Sequence, residues 1–238
     1  MRRLCGWAAL LACVGLVALT PVRAQLNVLP SRPAQTNEGP VGLFDGHSDV
    51  GPMYQPSSAA YDAATGAYTL TAAGADMWGH ADNVHFVWKK VSGDVSLAAD
   101  IAFPTPGGHD HRKAVLMIRQ TLEADSVYAD AARHGNGMTA LQYREQRGDL
   151  TQTIEAGISS PSRLRIEKQG DTVTMWLSAA GGPMALSGSV QLPLKGEFYV
   201  GLGVCSHDKD RAETAVFSHV ELRNAAPAAS ARLLSAAP

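Results

Sequence analysis

Cysteine is nearly absent from this 238-residue chain: there are three, and Cys5 and Cys13 both fall in an apolar run at the N-terminus. Beyond that run only Cys205 remains, so no intrachain disulfide can staple the rest, and stability has to come from a packed core. Cys205 itself ends the apolar stretch Tyr199–Cys205 and reads as a small buried hydrophobe, since nothing beside it would lower a thiol pKa. Aromatic residues are also scarce, at 6%. A surface covered in exposed rings is thereby excluded, although one or two placed rings are not. Neither sign of charge dominates, with 20 basic and 22 acidic residues. No basic cluster exists either, which argues against nucleic acid or an anionic membrane surface as partner.

Long apolar runs are limited to Leu4–Leu19, too short and too rich in small residues for a membrane span. This run follows Met1-Arg2-Arg3 and precedes Val22-Arg23-Ala24, the pattern of a signal peptide cleaved after Ala24. Leu10-Leu11-Ala12-Cys13 loosely resembles a lipobox, but almost no hydrophobic segment would precede its cysteine. The expectation is a periplasmic or secreted protein whose mature form starts at Gln25. Without Arg2, Arg3 and Arg23 it carries 17 basic against 22 acidic residues, a formal charge of −5.

Residues 25–40 are polar and contain Pro30, Pro33 and Pro40, which reads as a linker. Residues 224–238 are rich in Ala, Pro and Ser and read as a disordered tail. Between them, 41–223 suits one domain without internal repeats. Sustained helical periodicity is missing throughout. In its place stand short alternating runs broken by Gly, Asp and Pro: Ala67–Thr71, Val84–Lys90, Asp94–Phe103, Lys113–Gln120, Val127–Arg133, Met138–Arg144, Thr151–Ile158, Arg163–Lys168, Thr172–Ser178, Met184–Val190, Glu197–Cys205 and Glu213–Leu222. Strands this short and this regularly interrupted predict an all-β, antiparallel two-sheet sandwich. Gln169-Gly170-Asp171 marks a hairpin turn, while Ala59–Ala64 reads as loop. Because residues two apart share a sheet face, Val115, Met117 and Arg119 point opposite to Leu116 and Ile118. Likewise Ala140, Gln142 and Arg144 oppose Leu141 and Tyr143, and Arg163, Arg165 and Glu167 oppose Leu164 and Ile166. One face thus gathers Arg, Gln and Glu, either as solvated surface or as a binding face.

Several motifs carry a resemblance: Phe44-Asp45-Gly46-His47-Ser48-Asp49-Val50-Gly51, Asp76-Met77-Trp78-Gly79 with Asp82, His85-Phe86-Val87-Trp88-Lys89-Lys90, Ser92-Gly93-Asp94, Arg112-Lys113-Ala114, Met117-Ile118-Arg119, Leu141-Gln142-Tyr143-Arg144 and Val200–His207. Together, over about Leu43 to Leu222, they resemble the bacterial concanavalin A-like family of unknown function often found beside Tol-type β-propeller domains. The resemblance implies a lectin/glucanase-like jelly roll and says little about activity. Glucanases of that superfamily place catalytic carboxylates as Glu-x-Asp-x-x-Glu, which this sequence lacks. Neither Asp94 with Asp100 nor Glu145 with Asp149 has the spacing, and no pair of carboxyl groups suited to retaining hydrolysis can be named. A looser likeness to jelly-roll hydrolases of 3-keto-glycosides keeps an enzyme among the alternatives.

The candidate ligand-binding residues are Trp78, Asp82, Arg119, Tyr128, His134, Gln142, Arg144 and His207. Arg119 offers a planar fork suited to vicinal hydroxyls or a carboxylate, unless it is merely a sheet-end residue. Gln142 supplies a donor and an acceptor together and, with Arg144, would flank Arg119 if their strands pair; the alternative is a polar ladder. Trp78 and Tyr128 would stack on a sugar ring, whereas Trp88 and Trp176, inside strands, read as core. His134, His207 and Asp208 follow strand ends, where binding residues concentrate. His109-Asp110-His111 invites a zinc reading but lacks a third ligand at readable spacing. Asp45, Asp49 and Asp82 are weak candidates for calcium, although an Asp-Gly turn also accounts for Asp45.

Three functions follow. The first is a carbohydrate-binding module with no cofactor beyond possible calcium, using a concave face with Trp78 and Tyr128 stacking and Arg119, Gln142, Arg144 and His207 hydrogen bonding. The second is an enzyme acting on glycosides, with His134 or His207 as general base. The third is a protein-interaction domain of the cell envelope, which a large exposed apolar patch would favour.

Overall fold

A computed structural model describes residues 39–225 of the chain. Among the described residues there is no helix, and two seven-stranded antiparallel sheets pack face to face. Strands are numbered in chain order. The front sheet runs β1 (Gly46–Val50), β6 (Val84–Ser92), β15 (Glu197–Cys205), β8 (Lys113–Arg119), β9 (Tyr128–His134), β10 (Thr139–Arg144), β11 (Gln152–Glu155). The back sheet runs β14 (Ala185–Gln191), β13 (Thr172–Ser178), β12 (Arg163–Gln169), β7 (Asp94–Ala102), β16 (Glu213–Ala225), β3 (Ala67–Ala72), β2 (Ser58–Asp62). A short hairpin, β4 (Met77–Trp78) and β5 (Ala81–Asp82), stands apart from both. This is the expected sandwich, with crossovers between sheets in jelly-roll fashion.

Alternation builds the core. Leu116, Ile118, Ala131, Leu141 and Leu202 of the front sheet meet Leu97, Ile101, Leu164, Ile166, Met175 and Phe217 of the back sheet in one buried cluster. The outward residues of β12, Arg163, Arg165 and Glu167, are only half-buried, as the alternation requires. Gly170, at φ 55°, turns β12 into β13.

The front sheet departs from simple alternation because its other face is covered too. Val84, Phe86, Trp88, Val115, Met117, Tyr128, Ala132 and Cys205 form a second buried cluster, capped by Met77 from the β4–β5 hairpin. All seven residues of β8 are therefore buried. Cys205 lies in this second cluster, and burial pushes its thiol up to about 12.

Four strands have no counterpart in the alternation. β1 is Gly46-His47-Ser48-Asp49-Val50, buried throughout yet polar in the middle. Its polar groups meet protein partners: His85 Nδ1 lies 2.7 Å from Asp49, His47 Nδ1 lies 3.2 Å from His85 Nε2, and Trp88 Nε1 donates to Ser48. β2 covers most of the stretch read as loop; it is an exposed edge strand. β4 and β5 have two residues each. Trp176 corrects another expectation. It points outward from β13, half-buried, with the Arg165 guanidinium 4.8 Å from its ring centroid.

Candidate functional site

Pairing of β8, β9, β10 and β11 stacks their outward side chains in tiers. The register sets Arg119 against Tyr128 and Arg144 against Tyr128, so β9 separates the two arginines that the sequence suggested as neighbours. A middle tier sets Asp130 opposite Gln142, and Gln142 opposite Thr153. An outer tier sets Lys113 opposite His134 at the open end of the sheet.

The first tier is sealed. Arg119, Tyr128, Arg144 and Asp82 are all fully buried. Arg144 grips Asp82 with both terminal nitrogens, at 3.1 and 2.8 Å, and its Nε donates to Asp149 O at 2.9 Å. It donates further to the carbonyls of Gly79 and Ser126. Arg119 donates to the carbonyls of Thr121 and Glu123 and lies 3.5 Å from Asp82. Tyr128 reaches Thr151 at 3.1 Å, and burial raises its pKa well above the ordinary tyrosine value. Two guanidiniums so engaged tie the β4–β5 hairpin and the loops after β8 and β10 onto the sheet. The expected ligand role of Arg119, Arg144, Asp82 and Tyr128 is therefore corrected. The arginine fork grips the protein's own carboxylate and carbonyls, and the phenol ring belongs to the second core cluster.

The outer tier opens onto a cavity of about 400 Å³, lined by Trp78, Lys113, His134, Gln142 and His207 among others. Trp78, on the hairpin, is 40% exposed and forms its rim. Lys113 is buried, donates to Met77 O at 2.9 Å, and holds Nζ 5.4 Å from the Trp78 ring centroid. His134 is buried, and its Nδ1 lies 3.2 Å from Met138 O. A carbonyl only accepts, so that nitrogen carries the ring proton and Nε2 is left as an acceptor. Burial, with Lys113 nearby, lowers the His134 pKa to about 4, so the ring is neutral at physiological pH.

His207 sits after β15 with φ 57°. Its Nδ1 lies 3.1 Å from Asp76, and burial lowers its pKa. His109 and His111 meet it from the loop between β7 and β8, at 4.4 and 5.6 Å between ring centroids. That loop is anchored by Arg112, which donates to Glu213 at 2.7 Å.

The metal expectations find other chemistry. His109 Nδ1 accepts the backbone N–H of His111, and among the described residues no group of three or more His, Cys, Asp or Glu is arranged to hold a metal ion. The calcium candidates do not share a site: Asp45 pairs with Lys89, Asp49 with His85 and Asp82 with Arg144.

Of the residues singled out in the sequence, the cavity unites Trp78, His134, Gln142 and His207. It adds His111, which the sequence offered only within a zinc triplet, and Asp76, Lys113, Met138, Thr153 and Glu155, to which the sequence reading had given no role in the site. Lys113 was accessible to the same alternation that placed Val115, Met117 and Arg119 on one face. Beneath the cavity lies Asp130, fully buried in Tyr128-Ala129-Asp130-Ala131-Ala132, with neither carboxyl oxygen hydrogen-bonded. A lone acid in a run of small apolar residues was its only signal. Recesses on the outer face of the back sheet are bounded by an ion ladder instead, with Arg163 bonded to Asp100 and Glu221.

No family model matches the chain, and no curated protein matches it. Solved structures do. A functionally unknown protein from Saccharomyces cerevisiae is 17% identical at a TM-score of 0.55, the match covering 74% of this chain and 96% of that one. The carbohydrate binding module CBM66 from Bacillus subtilis is 17% identical at 0.51, covering 76% and 98%. The Bacteroides ovatus xyloglucan PUL GH43B is 14% identical at 0.50, covering 79% of this chain and 38% of that one. Likeness at such identity speaks to the fold, and with the two seven-stranded sheets it makes the chain an antiparallel jelly-roll sandwich of the concanavalin A-like kind.

Proposed function

We propose that the front-sheet cavity binds a carbohydrate. The observation that carries this reading is an exposed indole, Trp78, at the rim of a cavity whose floor holds a cation (Lys113), a neutral imidazole acceptor (His134) and an amide (Gln142). An indole face packs against the C–H face of a pyranose, while the amide and the imidazole answer hydroxyls, which both donate and accept. A cavity of about 400 Å³ falls in the range of small-molecule sites, which run from roughly 300 Å³ upward. The similarity to a carbohydrate binding module lends support from the fold. Export to the periplasm or beyond is the setting we assign, on the strength of the N-terminal pattern. Membership of the family associated with Tol-type propellers stays a reading of the motifs.

The test is a glycan array followed by thermal shift on residues 25–238, with Trp78→Ala and Gln142→Ala as controls. A glycan that raises Tm in the parent and in neither variant supports the reading. A folded protein that no glycan stabilises sinks it.

One observation favours a second reading, a glycoside-acting enzyme. The Nδ1–H of His134 is fixed on a carbonyl, so its Nε2 could take a proton from a bound hydroxyl. Turnover of a bound glycan that is abolished in His134→Gln while binding persists would establish it. The third reading, an envelope protein partner, has Leu43, Tyr61, Trp78, Leu150 and Leu186 to draw on as exposed large hydrophobics among the described residues.

A further inference from the structure

Two buried polar groups are set opposite each other beneath the cavity, and their oxygens meet no side-chain donor. Asp130 and Gln142 are directly opposed on β9 and β10, outward on the same face of the sheet. Residues so placed hold their Cβ atoms about 5 Å apart, within reach of side-chain contact. Both carboxyl oxygens of Asp130 are buried and unbonded, and so is Oε1 of Gln142. Oε1 is the buried end of an amide whose residue lines the cavity. Buried acceptors left without a hydrogen cost about 1–3 kcal/mol for each unsatisfied group. One proton on the carboxyl group lets one of its oxygens donate to Oε1, which removes the penalty at both of those atoms.

We propose that Asp130 is a neutral carboxylic acid whose O–H donates to Gln142 Oε1, and that this bond fixes the Gln142 amide with its NH₂ presented to the cavity. Asp130 is thereby a positioning residue. Through it the cavity acquires a set polarity: donors at Gln142 Nε2 and Lys113 Nζ, and an acceptor at His134 Nε2. Adjacent hydroxyls on one sugar ring match that set, one accepting at the amide and the other donating to the imidazole. This last step rests on the carbohydrate reading, whereas the state of the carboxyl group does not.

The surroundings agree. Lys113 and Arg119 on β8, Asp82 on β5, Arg144 on β10 and Tyr128 and His134 on β9 are the charged and titratable groups packed around it. Burial raises the Asp130 pKa well above the ordinary carboxyl value. Lys113, Arg119 and the backbone N–H of Gln142 oppose that rise without cancelling it, and Asp82 reinforces it. Lys113 and both arginines have other acceptors, at Met77 O and on Asp82, so none of them depends on Asp130 for a partner.

A rival arrangement reverses the amide, with Gln142 Nε2 donating to an ionised Asp130, since amide oxygen and nitrogen exchange by a half-turn. Carboxyl-labelled protein without any sugar separates the two. The expected result by NMR is an Asp130 carboxyl group still protonated at pH 7. The Gln142 side-chain NH₂ resonances should then move on the same alkaline titration and stop titrating in Asp130→Asn. An ionised Asp130 at pH 7 overturns the proposal, and so does a protonated Asp130 whose titration leaves the Gln142 amide still. Stability provides a second measurement. A raised folded-state carboxyl pKa destabilises the fold as pH climbs above the ordinary carboxyl value, so the Tm of Asp130→Asn should overtake the parent's as pH rises from 5 to 9. A deficit that widens over that range overturns the proposal. Because neither measurement uses a sugar, failure of glycan binding and failure of this inference are told apart.

Discussion

The fully buried Asp82, held between Arg144 and Arg119, is the residue on which the covered end of the front sheet depends. Removing one member of a buried pair strands the other's charge, which costs about 3–5 kcal/mol. Asp82→Ala leaves two guanidiniums buried without a carboxylate and is expected to lose at least that much in chemical denaturation. Arg144→Ala should match it, and the double variant should fall well short of the sum. Additive losses would mean the two residues act independently. The sequence displayed all three residues, and alternation placed Arg119 and Arg144 on the right face. What it could not display is what lies above that face: Asp82 arrives from a hairpin of two-residue strands, too short to produce any periodicity. An arginine aimed at solvent and an arginine aimed at a covering loop have the same pattern along the strand.

His134 provides a second prediction at this scale, in pH. Its folded-state pKa of about 4 lies below the ordinary value of about 6.5. Between those values the unfolded chain binds a proton that the native ring refuses, so its contribution is complete above pH 6.5 and fades as pH falls toward 4. A displacement of that size corresponds to about 3 kcal/mol. His134→Gln, which keeps a polar side chain without the titration, should flatten the decline between pH 6.5 and 4. An unchanged slope in the variant would place the acid sensitivity elsewhere.

At the level of elements, β15 shows how closely the front sheet is assembled. It pairs with β6 on one side and β8 on the other. A Cβ built on Gly203 would come within 2.9 Å of methyl groups of both Val115 and Val84. Gly203→Ala is accordingly expected to cost about 1–3 kcal/mol through overpacking, read as a lowered denaturation midpoint. No loss would show that the sheet relaxes at that point. Strands of this kind were legible because an apolar residue at every second position is what a buried face demands, and Thr172–Ser178 and Glu197–Cys205 have the bounds the sequence suggested. β1 was not legible, because its burial is satisfied by polar pairing among His47, Ser48, Asp49, His85 and Trp88 rather than by apolar side chains. β2 was missed for the opposite reason: as an exposed edge strand it has no buried face to announce it.

For the molecule as a whole, Cys205 is a built-in reporter. It is buried at the end of a central strand, its thiol donates to Gly74 O at 3.4 Å, and its pKa is pushed up to about 12. Burial and the raised pKa deny a thiol reagent the accessible thiolate it needs. Beyond the N-terminal apolar run it is the only cysteine in the sequence, so in residues 25–238 each labelling event reports this one site. If the sandwich opens as a cooperative unit, labelling follows global unfolding, and Cys205 reacts only in the small unfolded fraction. A ligand bound only by the native state reduces that fraction by 1 + [L]/Kd. A glycan in the front-sheet cavity should therefore slow labelling by the factor that its affinity sets, although the thiol does not line the cavity. Labelling that is fast in native buffer and indifferent to denaturant would show instead that β15 opens locally, leaving the two sheets without a shared transition.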